Sequence, residues 1–470
     1  MNRLDRFFEI SARGSTVSTE VRGGLVTFIA MAYIIVLNPI ILSGSADVDG
    51  NRLGFAQVSA ATALTAGVMT ILFGVVARLP FAFAAGLGIN SFLATSVVGS
   101  VSWAEAMGLV VINGLIIVLL SSTGLRRMIF DAVPMQLKLS ITAGIGLFIL
   151  FIGLVNAGFI GSTGLPSPPT GLGVDGGGSI TTVPTVLFVA TLLVTGILIA
   201  RRVRGAILLG LIGGTVVAAV IEAVWHLGPA AERPGGWGLS VPALDGSPFA
   251  LPDLSLIGEF SFAGFSRIGV LAATVFVFTL VFANFFDAMG TFTGLSREAG
   301  LAGPDGTFPR LRSALVVEGV GAVAGGAASA SSNTVFVESG AGIGEGARTG
   351  LANLVTGALF LAAMFVSPLA SVVPTEVAAA ALVVVGAMMV SHLRHVDITE
   401  FSVALPVVLT VVSMPFSYSI ANGIGIGFIS WVVMRSAVGR AREVSPLLWV
   451  VAAGFLLYFA RGWIEALAGV

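Results

Sequence analysis

Runs of about 20 mostly apolar residues, the length a helix needs to cross a bilayer, recur along the whole chain. In the first half they fall near 24–43, 56–77, 81–98, 103–121, 136–158, 181–200 and 205–225. In the second they fall near 267–292, 312–328, 331–346, 349–369, 375–391, 402–418 and 420–437. The pattern predicts an all-α polytopic membrane protein of about fourteen spans. The runs at 81–98, 312–328 and 331–346 are short and rich in glycine, which makes them the least typical of the fourteen as membrane helices. Pro446 to Phe459 is a last apolar stretch, either a fifteenth span or a helix lying in the interface.

The gaps between these runs set the expected organisation. Residues 1–23 form a polar N-terminal segment and 24–226 a first set of seven spans. A Pro/Gly-rich connecting loop occupies 227–266, a second set of seven spans 267–437, and a C-terminal segment with one further apolar helix 438–470. The halves echo each other. Ala132-Val133-Pro134 precedes one helix as Val372-Val373-Pro374 precedes another, each followed within a dozen residues by Gly144 or Gly386. Arg204-Gly205-Ala206-Ile207 likewise resembles Ala421-Asn422-Gly423-Ile424. Because seven is odd, the second set enters the membrane in the opposite sense. Inverted repeats of this kind mark secondary transporters, with the binding site near the midplane at interrupted helices.

Composition agrees. Apolar residues make up 56% of the 470 positions and charged residues 10%, and the mean hydropathy is +1.02. The net charge of −1 offers no field for gathering nucleic acid. The absence of cysteine excludes disulfides, thiol nucleophiles and zinc–thiolate sites. Charge distribution assigns sidedness by the positive-inside rule. Arg126, Arg127, Arg201, Arg202, Arg204, Arg310, Arg312, Arg435, Arg440 and Arg442 fall on one predicted side, with Arg52, Arg233 and Arg267 on the other. Both termini are therefore expected in the cytoplasm of a multi-pass protein of the plasma (inner) membrane. Met1 to Gly23, with Arg3, Arg6, Arg13 and Arg22, is not expected to be a signal peptide. Leu4, Phe7, Phe8 and Ile10 suit a short amphipathic helix on the membrane, or equally a solvated tail.

Charge within lipid costs at least about 2.5–3.5 kcal/mol on insertion scales, so intramembrane carboxylates are candidate functional groups. Asp287, Glu318 and Glu338 are the three that stand out. Helical offsets of three and four put Asn284, Asp287 and Thr291 on one face. Glu338 ends a polar and β-branched run, Ser331-Ser332-Asn333-Thr334-Val335-Phe336-Val337, and is followed by Ser339-Gly340-Ala341-Gly342. That pattern predicts a broken segment, extended and then helical. Pro80 to Asn90, with Ala85-Gly86-Leu87-Gly88, is its counterpart in the first half: glycine permits close backbone approach, and Asn90 offers donors and an acceptor. Glu318 suits a structural bond or a coupling role equally. Tyr33, Asn38 and Asn113 read as satisfied packing groups. His392 and His395 have helical spacing but sit beside Arg394 in a short loop, so no metal or organic cofactor is expected. Glycine-rich runs such as Gly340 to Gly346 lack the context of a dinucleotide site, and no ATP-binding Gly-x-x-x-x-Gly-Lys motif occurs.

Several segments together resemble one family. They are Thr27 to Ile34 with Asn38-Pro39, Ala85-Gly86-Leu87-Gly88-Ile89-Asn90, Phe286-Asp287-Ala288-Met289-Gly290-Thr291, and Glu338-Ser339-Gly340-Ala341-Gly342 with Arg348-Thr349-Gly350. From Arg6 to about Arg435 the chain resembles the azaguanine-type purine permeases, nucleobase–proton symporters for adenine, guanine and hypoxanthine. The resemblance implies the fold of the uracil and uric acid transporters. That fold has fourteen segments in two inverted repeats, a core and a gate domain with an elevator-type core movement, short strands in segments 3 and 10, and commonly a homodimer. It also implies that Asp287 and Glu338 are the principal nucleobase-binding carboxylates and that Asn90 takes part in purine recognition. Many relatives carry an acid where this chain has Asn284, a departure that bears on coupling and base preference.

The residues suit such a ligand. A purine is a flat heterocycle with N–H donors and ring-nitrogen acceptors, which two carboxyl groups, Asn90, Asn284, Thr291 and backbone groups near Ala85 can match. Phe81, Phe83 or Phe336 can cover a ring face. Glu338 is expected to accept from ring N–H, and Asp287 to hold the opposite edge or the proton, so H+ is the expected coupling ion with Asp287, Glu338 and Glu318 as its carriers. A sulfate or bicarbonate transporter of the same fold is the nearest alternative, though two intramembrane carboxylates argue against an anion. A channel lacks a filter motif. An intramembrane enzyme needs a base and nucleophile or a metal set, and the three His lie outside the expected core.

Overall fold

The computed structural model describes residues 3–123, 132–165, 167–238, 240–244, 246–302 and 308–468. Arg126 and Arg127 lie outside them. The first half contains α1 (Arg3–Phe8), α2 (Val17–Met31), α3 (Ile34–Gly44), α4 (Phe55–Val76), β1 (Phe83–Ala85), α5 (Leu87–Phe92), α6 (Trp103–Thr123) and α7 (Met135–Asn156). It continues with β2 (Ile160–Ser162), β3 (Thr170–Leu172), α8 (Val183–Ala200) and α9 (Ala206–Trp225). The second half contains α10 (Gly264–Glu298), α11 (Leu311–Ala327), β4 (Asn333–Val335), α12 (Ser339–Gly344), α13 (Gly350–Ala363), α14 (Ser367–Ser371), α15 (Thr375–Val390), α16 (Phe401–Phe416), α17 (Ile420–Ala437) and α18 (Pro446–Ala468).

Among the described residues, 10 helices are long and apolar enough to cross a membrane. The remaining crossings are the segments whose composition marked them out, α11, β1–α5 and β4–α12, together with the short α16. The first span is itself broken between Met31 and Ile34. Inside α3, Pro39 lacks the N–H that would bond to the carbonyl of Ile35. Ser59 of α4 supplies the missing donor, its Oγ lying 3.2 Å from that carbonyl. The segment between α7 and α8 carries the antiparallel pair β2–β3.

The helices pack as two bundles. The first comprises α2–α6 and α10–α13, the second α7–α9 and α15–α17 with α18 against its side. Each bundle takes corresponding elements from both halves, and the corresponding strands β1 and β4 run antiparallel, as an inverted repeat requires. In the first bundle α4 and α13 cross with backbones in contact: a Cβ on Gly350 would lie 1.9 Å from the carbonyl oxygen of Gly74. In the second, α7 and α15 cross reciprocally, since a Cβ on Gly146 would lie 2.7 Å from the Gly386 oxygen and one on Gly386 2.5 Å from the Gly146 oxygen. Gly386 thus pairs with Gly146, whereas Gly144 packs on Met414. Small residues at such crossings allow the close van der Waals contact that associates helices in lipid.

One end of the molecule, here the basic face, carries α1, Arg13, Arg22, Arg78, Arg204, Arg310 and Arg348. On it, Glu9 pairs with Arg13, Arg78 and Arg310. Fully buried Glu20 of α2 accepts from the backbone N–H groups of Arg348 and Thr349 at 2.8 and 3.2 Å, capping α13.

Candidate functional site

The two strands meet in the middle of the first bundle, with Phe83 opposite Val335, Ala84 opposite Thr334 and Ala85 opposite Asn333. Extended backbone at this depth survives only where its polar groups are satisfied. Thr70 Oγ1 accepts from the Phe83 N–H at 2.9 Å and donates to the Phe83 carbonyl at 3.1 Å. Asn353 Nδ2 donates to the Phe81 carbonyl at 2.7 Å. The ladder is prolonged at both ends by Phe336 N–H to Ala82 O, 3.0 Å, and Gly86 N–H to Ser332 O, 2.9 Å. The Ala82 N–H donates to Ser339 Oγ, 2.9 Å, tying the first strand to the start of α12. From this pair, α5 and α12 leave in opposite directions, so their first N–H groups, which lack intrahelical acceptors, lie at the strand ends.

Glu338 sits between β4 and α12, half-buried, and accepts a short hydrogen bond from the hydroxyl of fully buried Tyr33. Asp287 is half-buried on α10, with Thr291 one turn further on and Asn284 fully buried one turn before. Asp287 lies within electrostatic range of both Glu318 and Glu338. Glu318 is fully buried on α11.

Asn90, fully buried on α5, donates from Nδ2 to Asn38 Oδ1 at 2.6 Å. Asn38 in turn donates to Thr62 Oγ1 at 2.7 Å and to the Ala330 carbonyl at 3.0 Å. This chain fixes the Asn90 amide and leaves its Oδ1 as an acceptor without a protein partner. Among the described residues, both amide atoms of Asn284 are likewise without a partner. Ala85 is buried at the strand end and Phe336 is 6% exposed. Phe81 and Phe83 are not free to cover a ligand: both are fully buried in an aromatic cluster with Phe73, Phe292 and Phe308. Strand alternation sends Phe83 to the packed face of β1.

The site is closed on one side and open on the other. Toward the face opposite the basic one, Gly88 of α5 lies under Ile145 of α7, where an added Cβ would meet Ile145 Cγ2 at 2.6 Å. Beyond this contact lies a crevice of about 310 Å³ between the bundles, lined by Ile41, Ser91, Thr95, Ile152, Thr375 and Tyr418 among others. Toward the basic face, Val337 is 55% exposed, and Gly290, Gly294 and Gly344 have no atom within 4 Å of an added Cβ. On α10, Gly294 and Glu298 continue the face of Asp287 at offsets of seven and eleven. The accessible path from the carboxylates therefore runs to the basic face.

The broken segments and both half-buried carboxylates lie where the sequence pattern put them. That pattern assigned Tyr33 and Asn38 to packing, whereas Tyr33 bonds Glu338 and Asn38 orients Asn90. The available signal was two polar groups, five residues apart, in an otherwise apolar run.

Two inverted repeats interleaved into two bundles, with a polar site at the midpoint of two broken helices, define a membrane carrier protein. The chain belongs to the Permease family, matched over residues 18–426, and within it to the azaguanine-type purine permeases. It is 39% identical over 461 residues to the guanine/hypoxanthine permease PbuG of Bacillus subtilis, covering 97% of this chain and 99% of that one. It is 36% identical over 457 residues to the adenine permease AdeP of Escherichia coli, covering 97% and 95%. The transmembrane domain of the cyanobacterial bicarbonate transporter BicA superposes with a TM-score of 0.62 at 17% identity, covering 86% of this chain and 97% of that domain. That likeness concerns the fold.

Proposed function

We propose that the protein imports purine nucleobases, hypoxanthine, adenine or guanine, by proton symport. The observation that supports this reading is Glu338, held by Tyr33 beyond one end of the paired strands and within electrostatic range of Asp287, with the fixed amide of Asn90 beyond the other end. Glu338 accepts from ring N–H groups, Asp287 serves the opposite edge, and Asn90 Oδ1 accepts from a donor on the base. Like charges gathered in a low dielectric repel, so a proton entering the cluster of Asp287, Glu318 and Glu338 relieves that repulsion, and a bound proton and a neutral base stabilise each other. The names of PbuG and AdeP support the substrate class.

In this reading the first bundle is the core and the second the gate, the basic face is cytoplasmic, and the core moves against the gate to expose the site alternately. The conformation described here is open inward. α8 and α9, the spans with the smallest buried shares, would face lipid or a second copy in a homodimer.

The test is uptake of labelled hypoxanthine, adenine and guanine into cells lacking their own permeases, at two external pH values, with uracil and xanthine as competitors. Saturable uptake favoured by acid and blocked by purines alone is expected. No purine uptake by folded, membrane-inserted protein would overturn the reading.

A further inference from the structure

We propose that Arg204 and Glu345 form an inter-bundle latch that holds the protein in its conformation open to the basic face. This rests on the movement of core against gate proposed above. Arg204 lies in the turn between α8 and α9, in the second bundle. Glu345 follows α12, in the first, seven residues after Glu338, so it rides on the same short element as the site carboxylate.

The Glu345 side chain is only 7% exposed and carries two guanidinium partners. One is Arg22 of α2, within the first bundle, whose Nε lies 2.9 Å from Oε2 and whose Nη2 donates to the Glu345 carbonyl at 3.2 Å. The other is Arg204, whose Nη1 pairs with Oε1 across the bundle boundary. A second contact supports the same junction. The turn is shaped by left-handed backbone at Arg202 (φ 56°) and Gly205 (φ 66°), and a Cβ on Gly205 would lie 2.6 Å from Ile29 Cγ2 of α2. The turn therefore docks on the first bundle through both an ion pair and a close backbone approach.

The pair discriminates between conformations by reach. Sliding one bundle past the other by a single helical turn, about 5.4 Å, carries Arg204 beyond ion-pair distance of Glu345. A contact made in only one of two states biases their populations by its own free energy. Arg22 makes the latch releasable: when Arg204 departs, the buried carboxylate keeps a partner and is not stranded as an unpaired charge. Arg204 itself is 64% exposed, so the bias is that of a solvent-screened pair, about fivefold at most.

The chain has no cysteine, so a single Gly294→Cys substitution reports access to the open path. The rate of its modification by a membrane-impermeant maleimide is measured in inside-out vesicles without substrate, so the outcome does not depend on which base is carried. Arg204→Gln is expected to slow labelling by at most about fivefold, the full factor appearing where the open conformation is the less populated one, with a smaller difference at high salt. Arg22→Gln removes the partner that remains to the buried carboxylate when Arg204 departs, so it makes release costlier and is expected to leave labelling at or above the parental rate. The proposal is overturned if Arg204→Gln labels at the parental rate, or if Arg22→Gln slows labelling by the same factor. Loss of purine uptake in the assay above, with these labelling differences intact, would overturn the substrate assignment and leave the latch standing.

Discussion

Gly88 and Gly344 lie on the two helices that leave the strand pair in opposite directions, and their surroundings differ. Gly88 is pressed under Ile145 of the other bundle, and Asn90 beyond it is fully buried and tied through Asn38 to Thr62. Gly344 faces open space, and Glu338 and Val337 before it are reached from the basic face. One strand–helix unit has become a fixed, neutral wall and the other an accessible, charged one. Related backbones have thus been given unequal parts: the buried unit positions an amide, and the open unit presents the group able to exchange with solvent.

The largest test of that contrast is removal of the charged groups. Glu338→Ala and Asp287→Ala are each expected to reduce purine uptake by at least about 100-fold with the protein still present in the membrane, while Asn90→Ala reduces it by about tenfold. Equal losses in all three would break the contrast. Next is the hydroxyl that holds Glu338. Tyr33→Phe deletes one hydrogen bond to an ionisable acceptor and should raise the KM for purine by about tenfold, measured by initial rates of uptake.

A smaller effect is expected from packing alone. Gly88→Ala places a methyl against Ile145 and should destabilise the protein by about 1–3 kcal/mol, whereas Gly344→Ala should stay within about 0.5 kcal/mol of the parent. Thermal unfolding in detergent checks both, and equal behaviour would show that the two units are not differently packed.

The smallest effect lies away from the site and separates the basic face from it. The hydrogen bond from Arg13, followed by the charges of Arg310 and Arg78, holds the Glu9 carboxyl below its ordinary value of 4.5. A depressed carboxylate contributes stability above its unfolded value and loses it as pH falls through the folded one. Glu9→Gln should therefore lower the melting temperature slightly above about pH 5 and match the parent in stronger acid. Because the Glu9 side chain is 41% exposed, high salt should shrink the difference.

Much of this architecture was legible from local pattern. A short run interrupted by Ser, Asn and Thr and then by glycine, as at 331–342, or by closely spaced glycines, as at Pro80 to Asn90, makes a poor lipid-facing helix, and both runs became strand–helix units. The i, i+3 and i, i+7 offsets of Asn284, Asp287 and Thr291 were correct because they are properties of one helix. What could not be read was partnership across the chain. The Tyr33 hydroxyl meets a carboxylate 305 residues away, and Glu20, in a polar N-terminal run, caps a helix 328 residues later. Gly386 has three candidate glycine partners in α7, Gly144, Gly146 and Gly153, and only the crossing geometry selects Gly146. Phe83 alternates with Ala84 along β1, but sequence does not say which face of so short a strand is packed.

The pairing of Phe83 with Val335 also sets when the site can come into being. At about 5–20 residues synthesised per second, the two strands are made on the order of tens of seconds apart. Throughout that interval the first half sits in the membrane with its partner strand unmade. Thr70, only 13 residues before Phe83 and bonded to both its N–H and its carbonyl, is already present to occupy those groups. Other groups at the same depth wait longer: the Phe81 carbonyl for Asn353 and the Ala82 N–H for Ser339. Assembly of the candidate site therefore waits until more than two thirds of the 470 residues have been made, and a protein truncated before Val335 would hold every element of the first repeat without the site itself.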